Sequence, residues 1–300
     1  SVDQVADATD EAIKAQVKLS NKTTLGGYGE LHYNSLRDQK GDINKDQMDF
    51  HRFVLFVNHE FNDKMRLVTE LELEHSLSGD GKPGEVELEQ AYIQYDLTAK
   101  TSITGGLFLT PVGILNETHE PPTFYGVERN DVEKYLIPAT WWAAGVKVSH
   151  KLNNGLRFEA MISEGLKGST AGYIRGGRQK SASAKANDLA YTARVTYTGI
   201  PGLKTSLFYN RQSDFTQDSS DNIEEMDLYG VTAIYNQDGY EFKALHVRAD
   251  FSGKDETGAF FTNGFDEHQG TFLEASKRIG NLGLFVNNSI VSGEKISRQY

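Results

Sequence analysis

The sequence contains 300 residues, 42 of them acidic and 31 basic, and it has a formal net charge of −11 and no cysteine. No apolar run approaches the roughly 18 residues that a membrane-spanning helix requires, so an α-helical membrane protein is excluded. The acidic excess argues against a nucleic-acid partner, which needs a basic surface. Without cysteine, neither disulfides nor thiolate chemistry are possible. Taken alone, this length and the mean hydropathy of −0.50 are those of a soluble protein with about two domains.

Residues 1–20 differ from the rest of the chain. In this segment Val2, Val5, Ile13 and Val17 are separated by charged side chains in a weakly helical pattern. The pattern is too sparsely apolar to form a stable helix alone. We therefore expect an N-terminal arm.

After the arm, apolar and polar side chains alternate with a period of two. In residues 65–73, one face carries Leu67 and Leu71, whereas the other carries Glu70 and Glu72. Such alternation is typical of a β-strand with two different faces. We count thirteen segments of this kind, at residues 24–36, 48–60, 64–76, 85–97, 101–110, 141–152, 156–165, 188–198, 203–212, 226–235, 240–250, 270–279 and 282–292, and residues 298–300 look like the start of a fourteenth.

The connections between these segments alternate between short and long. The short ones are rich in Asn, Asp and Gly, which favour tight hairpins; they are Asn62-Asp63, Thr98–Lys100, Asn153–Gly155, Gly199–Gly202, Asn236–Gly239 and Gly280-Asn281. The long ones are polar and comprise residues 37–47, 77–84, 111–140, 166–187, 213–225 and 251–269. This asymmetry describes an up-and-down meander whose two rims face different environments.

These patterns predict an all-β fold: a transmembrane up-and-down antiparallel β-barrel comprising residues 21–300. The polar face carries charged groups on strand after strand, and a water-filled lumen would solvate them. Aromatic residues such as Tyr191 and Trp142 fall near the ends of the apolar faces, where interfacial aromatic residues lie. The alternative is a soluble β-sandwich or a small soluble barrel, but thirteen consecutive meander strands are too many for a sandwich of this length.

Residues 111–140 form the longest connection. Four prolines and large apolar residues such as Ile114 and Phe124 predict that it folds into the lumen and constricts it. Its acidic residues are our candidates for one side of the constriction: Glu117, Glu120, Glu128, Asp131 and Glu133. The candidates for the basic wall are Arg52, Arg66, Lys147, Arg157 and Arg194. Opposed charges would set up a transverse field that screens dipolar solutes; the alternative is that they only pair and anchor the loop.

The stretch YGVERNDVEKYLIPATWWAAG, residues 125–145, resembles the corresponding stretch of the phosphate-selective porin superfamily, and the long third loop resembles that of general diffusion porins. The resemblance implies a barrel of about sixteen strands in a Gram-negative outer membrane. It also implies a homotrimer surrounded by lipid and lipopolysaccharide, with the arm in the periplasm. We accordingly expect two to three further strands after residue 300 and a signal peptide removed on export. In phosphate-selective members, a ladder of inward basic residues selects anions.

Acidic residues interleave with the candidate basic wall. Glu70, Glu72 and Glu74 lie beside the second long loop. Two interpretations remain open: a cation-attracting vestibule, and a charged rim that only keeps the edge soluble.

The sequence predicts a passive diffusion channel for small hydrophilic solutes and ions. Its eight histidines are scattered without the spacing of a metalloenzyme, so no catalytic residue, metal or cofactor is predicted. The alternatives are an anion- or phosphate-selective channel, and an outer-membrane barrel that acts as a binding or scaffold protein.

Overall fold

The computed structural model describes residues 17–18, 22–37, 44–168, 174–218, 224–253 and 267–292. The described residues form two compact units, one within Ile13–Tyr95 and the other within Asp96–Tyr300. Within the described ranges, no helix is long and apolar enough to cross a membrane.

The first unit, Ile13–Tyr95, is an antiparallel meander. Its strands are β1 (Val17–Lys18), β2 (Thr23–Arg37), β3 (Asn44–Asn62), β4 (Met65–Glu74) and β5 (Val86–Asp96). Each strand pairs with the next in sequence. Only two residues of the predicted N-terminal arm are described, and they pair with Leu25 and Thr24 as a short strand; the rest of the arm lies outside the described residues.

The second unit continues the same pattern from residue 101. Its strands are β6 (Thr101–Leu109), β7 (Trp142–Lys151), β8 (Leu156–Ser163), β9 (Ala190–Tyr197), β10 (Leu203–Gln212), β11 (Glu224–Gln237), β12 (Tyr240–Gly253), β13 (Glu267–Ile279) and β14 (Leu282–Ser292). All are antiparallel to their neighbours in this unit. The thirteen predicted segments are therefore confirmed as strands within the described residues, whereas the predicted start of a fourteenth at 298–300 lies outside them.

Short turns and long loops alternate as predicted. In the second unit, β7 and β8 are joined by a short turn with Gly155 at a φ of +86°, and β11 and β12 by one with Gly239 at +77°. These positive φ values lie in the left-handed region, which glycine adopts without steric cost. The long connections, including residues 110–141 between β6 and β7, lie at the opposite strand ends.

The two faces of the strands have the polarity opposite to that of a soluble sheet. Leu207 on β10 is 62% exposed and its neighbours across the ladders, Val195 and Val231, are also exposed. On the other face Arg194 is only 8% exposed, and Glu159 opposite it is also buried. An exposed apolar face and a buried polar face are characteristic of strands that meet lipid. We call these the exposed face and the buried face.

Trp142 corrects one sequence-based expectation. It was predicted to lie at a membrane interface, but only 4% of it is exposed. The ammonium of Lys180, from the connection between β8 and β9, lies 5.7 Å from the Trp142 ring centroid. The ring is therefore covered by protein, a contact that sequence position alone does not reveal.

An apolar core lies on the buried face of β10–β13. It joins strand residues to residues of the connection between β6 and β7. The strand members include Phe208, Leu228, Leu245, Val247 and Phe272, and the members from the connection are Val112, Val132, Leu136, Ile137 and Trp141. This connection therefore packs against the buried face, as the density of its apolar residues predicts.

We expect Phe272→Ala to loosen this packing, because Phe272 is 4% exposed within the core. Truncation of a buried phenylalanine typically costs about 3–5 kcal/mol of folding free energy. Limited proteolysis within residues 110–141 should therefore become faster. The matched control is Leu273→Ala, because Leu273 follows on the same strand but points to the exposed face and is 55% exposed. Equal proteolysis of the two variants would contradict the packing described above.

Candidate functional site

The connection between β6 and β7, residues 110–141, is called the long loop. Its two ends are joined by Asn116, which is fully buried. The Asn116 side-chain amide donates to the carbonyl oxygens of Thr110 (2.8 Å) and Trp141 (2.9 Å), and its Oδ1 accepts from the Trp141 N–H (2.7 Å). The Thr110 N–H also donates to the Trp141 carbonyl at 2.9 Å. The loop thus leaves and rejoins the strands through a closed stem.

Glu133 holds the middle of the long loop together. Its Oε1 accepts from the backbone N–H groups of Ile114 and Leu115, each at 2.5 Å, and its Oε2 accepts from the Asn130 amide at 3.0 Å. Burial raises the pKa of the Glu133 carboxyl, and these hydrogen bonds offset only part of that effect. Glu133 was predicted to line the constriction; the contacts found here lie within the loop, and a pore-lining role stays a prediction.

Glu117 connects the long loop to the charged wall. Its carboxylate forms an ion pair with the guanidinium of Arg194 on β9 and lies 3.6 Å from the Lys147 Nζ on β7. Burial raises the pKa of Glu117, but the two nearby cations outweigh it and hold the pKa well below its ordinary value. Arg194 is also bound by Glu159 Oε2, at 2.7 Å from its Nε. The structure thus brings together one predicted loop acid and two predicted wall bases.

Two further basic residues belong to this group. Lys204 on β10 interacts electrostatically with Arg157 on β8, as well as with Arg194, Glu117 and Glu159. We call the five strand residues of this group the charged wall: Lys147, Arg157, Glu159, Arg194 and Lys204. Lys204 and Glu159 are not among the predicted site residues, although their positions in the period-two pattern place them on the same face as the others.

Lys243 on β12 also contacts the long loop. The Lys243 Nζ lies 3.1 Å from carboxylate oxygens of both Glu241 and Glu274. It donates to the Thr123 carbonyl oxygen of the loop at 3.4 Å, and it lies 5.2 Å from the centroid of the Tyr125 ring. Lys243 is not among the predicted site residues, because nothing in the sequence pattern pairs β12 with a loop more than a hundred residues earlier.

The other predicted loop acids occupy varied positions. Glu120 is buried, with a carboxylate oxygen 3.7 Å from His119 Nε2. Glu128 is exposed and lies 3.3 Å from Lys134 Nζ, and Asp131 directly precedes the π-helical turn Val132–Leu136. Their pore-lining role stays a prediction.

In the unit Ile13–Tyr95, the predicted wall base Arg52 is bound by two carboxylates. Its Nε lies 2.9 Å from Glu30 Oε2, and its Nη1 lies 3.3 Å from Glu72 Oε2. Glu72 and Glu70 are both buried, and Glu70 Oε2 accepts from the side-chain amide of Gln90 at 2.6 Å. Glu72, one of the predicted vestibule acids, is therefore paired with Arg52.

Two other predicted residues of this unit lie in paired strand positions. Arg66 pairs in register with Glu60 and Gln94, and Glu74 with Arg52. The vestibule and the wall roles of Arg52 and Arg66 stay predictions.

We expect Glu133→Ala to destabilise the long loop, because it leaves the buried Leu115 N–H, the partly buried Ile114 N–H and the Asn130 amide without their acceptor. Each buried unsatisfied group costs about 1–3 kcal/mol. Hydrogen exchange of the Ile114 and Leu115 amides should accelerate at least tenfold. Glu128→Ala, which removes an exposed carboxylate from the same loop, should leave exchange unchanged; the account fails if the two variants exchange alike.

Comparison with known proteins identifies the family. Residues 24–277 match the family described as phosphate-selective porin O and P. An uncharacterized protein of Aquifex aeolicus (strain VF5) is 33% identical over 181 residues, which cover 58% of this chain and 40% of that protein. The chain therefore matches less than half the length of this relative.

Two solved structures share the fold. The anion-selective porin from Comamonas acidovorans has a TM-score of 0.61 at 12% identity, with 91% of this chain and 80% of that chain covered. Salmonella typhi OmpF in complex with daunomycin has a TM-score of 0.62 at 15% identity, with 94% and 82% covered. At these identities the likeness shows the fold alone, but the family match covers most of the chain. The chain therefore belongs to the phosphate-selective porin O and P family and is an outer-membrane protein.

Proposed function

We propose that the protein is an outer-membrane diffusion channel for small hydrophilic solutes and ions, narrowed by the long loop. One observation carries the proposal: the loop is packed against the buried, charged face by its apolar residues and by Glu117. A loop held there narrows the space that this face lines. The family and the fold indicate a channel rather than an enzyme.

The surroundings follow from the polarity of the two faces. The exposed apolar face supports contact with lipid and lipopolysaccharide. We further propose closure by about sixteen strands, the usual size range of such channels, and assembly as a homotrimer, as the family resemblance implies. A binding or scaffold protein with the same fold would differ from a channel in having no open path for solutes through the lumen.

A preference for anions is the second candidate function, and the charged wall supports it. Four cationic side chains there face two carboxylates, Glu117 and Glu159. Rings or patches with an excess of one sign attract ions of the other sign and tune selectivity. Bound carboxylates reduce this excess, so we expect a modest anion preference rather than strict phosphate selectivity.

Planar-bilayer recording tests the proposed channel. Purified protein added to one side should produce discrete, long-lived current steps in potassium chloride. A preparation that inserts into the bilayer but produces no steps would contradict the channel proposal and favour the binding or scaffold alternative.

We expect Glu117→Gln to increase anion preference, because it removes one of the two carboxylates beside the charged wall. Coulomb interaction at the distances across such a lumen predicts about a twofold rise in the chloride-to-potassium permeability ratio. The measurement is the reversal potential in a salt gradient.

Glu225→Gln is the matched control, because Glu225 is also paired with an arginine (Arg211, 2.7 Å) but alternates onto the exposed face of β11. It should leave the ratio unchanged. Equal ratios for wild type and Glu117→Gln would exclude Glu117 from the conduction path.

A further inference from the structure

Histidine and carboxylate side chains meet in the unit Ile13–Tyr95, where β2 and β3 run beside the end of β4. A β-bulge creates this meeting point. Leu31 pairs with Phe50 and Glu30 pairs with Arg52, so His51 is the extra residue between them. Bulges redirect side chains, and here the His51 Nδ1 lies 3.4 Å from the Oδ2 of Asp49.

His75 joins this group from the end of β4. Its backbone N–H donates to the His51 carbonyl oxygen at 3.1 Å, which extends the pairing of β3 and β4 by one residue. Its φ of +53° lies in the left-handed region, which a residue with a Cβ adopts at a cost. In this conformation the His75 Nδ1 lies 2.8 Å from the same Asp49 oxygen. Backbone strain of this kind is concentrated at functional sites.

We propose that Asp49, His51 and His75 form a binding site for a divalent transition-metal ion such as Zn²⁺. Their three ligand atoms all lie within 4.8 Å of one another. A tetrahedral zinc ion with bonds of about 2.0–2.1 Å places its ligand atoms about 3.3 Å apart. The two nitrogen-to-oxygen separations, 2.8 and 3.4 Å, are close to that value. Two imidazoles and one carboxylate form a donor set that suits zinc and leave one position open.

Neighbouring residues orient the ligands. The His32 ring stacks on the His51 ring with centroids 4.4 Å apart, and His32 Nε2 is itself bound to Glu30 Oε1 at 2.5 Å. Such outer contacts fix ring orientation at metal sites. The side chains of Asp49, His51 and His75 are 15%, 27% and 31% exposed, so an ion can reach them from solvent.

Arg52 is a cation beside the ligands, and its charge is compensated. It donates to His51 Nε2 at 3.0 Å and is bound by Glu30 and Glu72. Neutral His51 therefore carries its proton on Nδ1. On metal binding this proton moves to Nε2, so Arg52 gives up its hydrogen bond to that atom and keeps its two carboxylate partners. The site does not depend on the channel proposal, since binding can be measured without conduction.

Isothermal titration with Zn²⁺ tests the site on the purified full chain without a histidine tag. Wild type should bind one equivalent per chain. His75→Gln and His51→Gln should each weaken Zn²⁺ binding at least tenfold. Loss of an outer-shell partner alone typically weakens metal binding about 10–100-fold, and each of these variants removes a ligand itself. Heat-modifiable gel mobility checks that each variant is folded. Because His75 lies outside the strand, we expect His75→Gln to disturb folding less than His51→Gln does.

His59→Gln is the matched control, because His59 lies on the same strand but bonds to Thr23 Oγ1 at 2.8 Å. It should bind Zn²⁺ as wild type does. Co²⁺ added to wild type should also give the visible absorption of a tetrahedral ion, and His75→Gln should lose it. Wild type that binds no Zn²⁺, or binding that His75→Gln leaves unchanged, would overturn the proposal.

Discussion

Lipid offers no hydrogen-bond partner, so a strand that meets it must satisfy its backbone through neighbouring strands and present apolar side chains outward. The remaining features of this chain follow from that constraint. Leu207 and its neighbours occupy the exposed face, whereas Arg194 of β9 and Lys204 of β10 lie on the other face of the same strands. Buried charges are costly unless they are paired, and the pairing of Arg194 with Glu159 and Glu117 meets that requirement. A loop carboxylate is thereby drawn into contact with the strands.

The buried face has two parts, and the long loop matches both. Around Arg194, β7–β10 present the charged wall, which binds Glu117. On β10–β13 the same face carries the apolar core, which packs against Leu136 and its neighbours. The ionic contacts orient the long loop, whereas burial of its apolar side chains contributes most of the stabilisation of its packing. A loop fixed by both has one position, and a fixed position is what a constriction of constant width requires.

The strands could be predicted because the period-two pattern is local. The contacts of the long loop could not, because they join residues far apart in sequence. Phe272 fits the period-two pattern, but it is an apolar residue on the buried face. The pattern alone does not show whether such a residue contacts lipid or the long loop. Glu117 and Glu133 look alike in sequence, yet one binds the wall and the other binds backbone N–H groups inside the loop. The group of Asp49, His51 and His75 is not visible in the local pattern, because His75 reaches Asp49 from 26 residues further along the chain.

The position of the long loop can be tested directly, because the chain has no cysteine of its own. A Cβ placed on Gly270 of β13 would lie 3.0 Å from Val132 Cγ1 of the loop. In a disulfide, the Cβ of one cysteine lies at about this distance from the Sγ of its partner. The double variant Val132→Cys and Gly270→Cys should therefore form an intramolecular disulfide in the folded protein under mild oxidation. Mass spectrometry of the proteolysed chain should show the linked peptides. Two free thiols that both react with maleimide after oxidation would contradict a loop packed on the buried face.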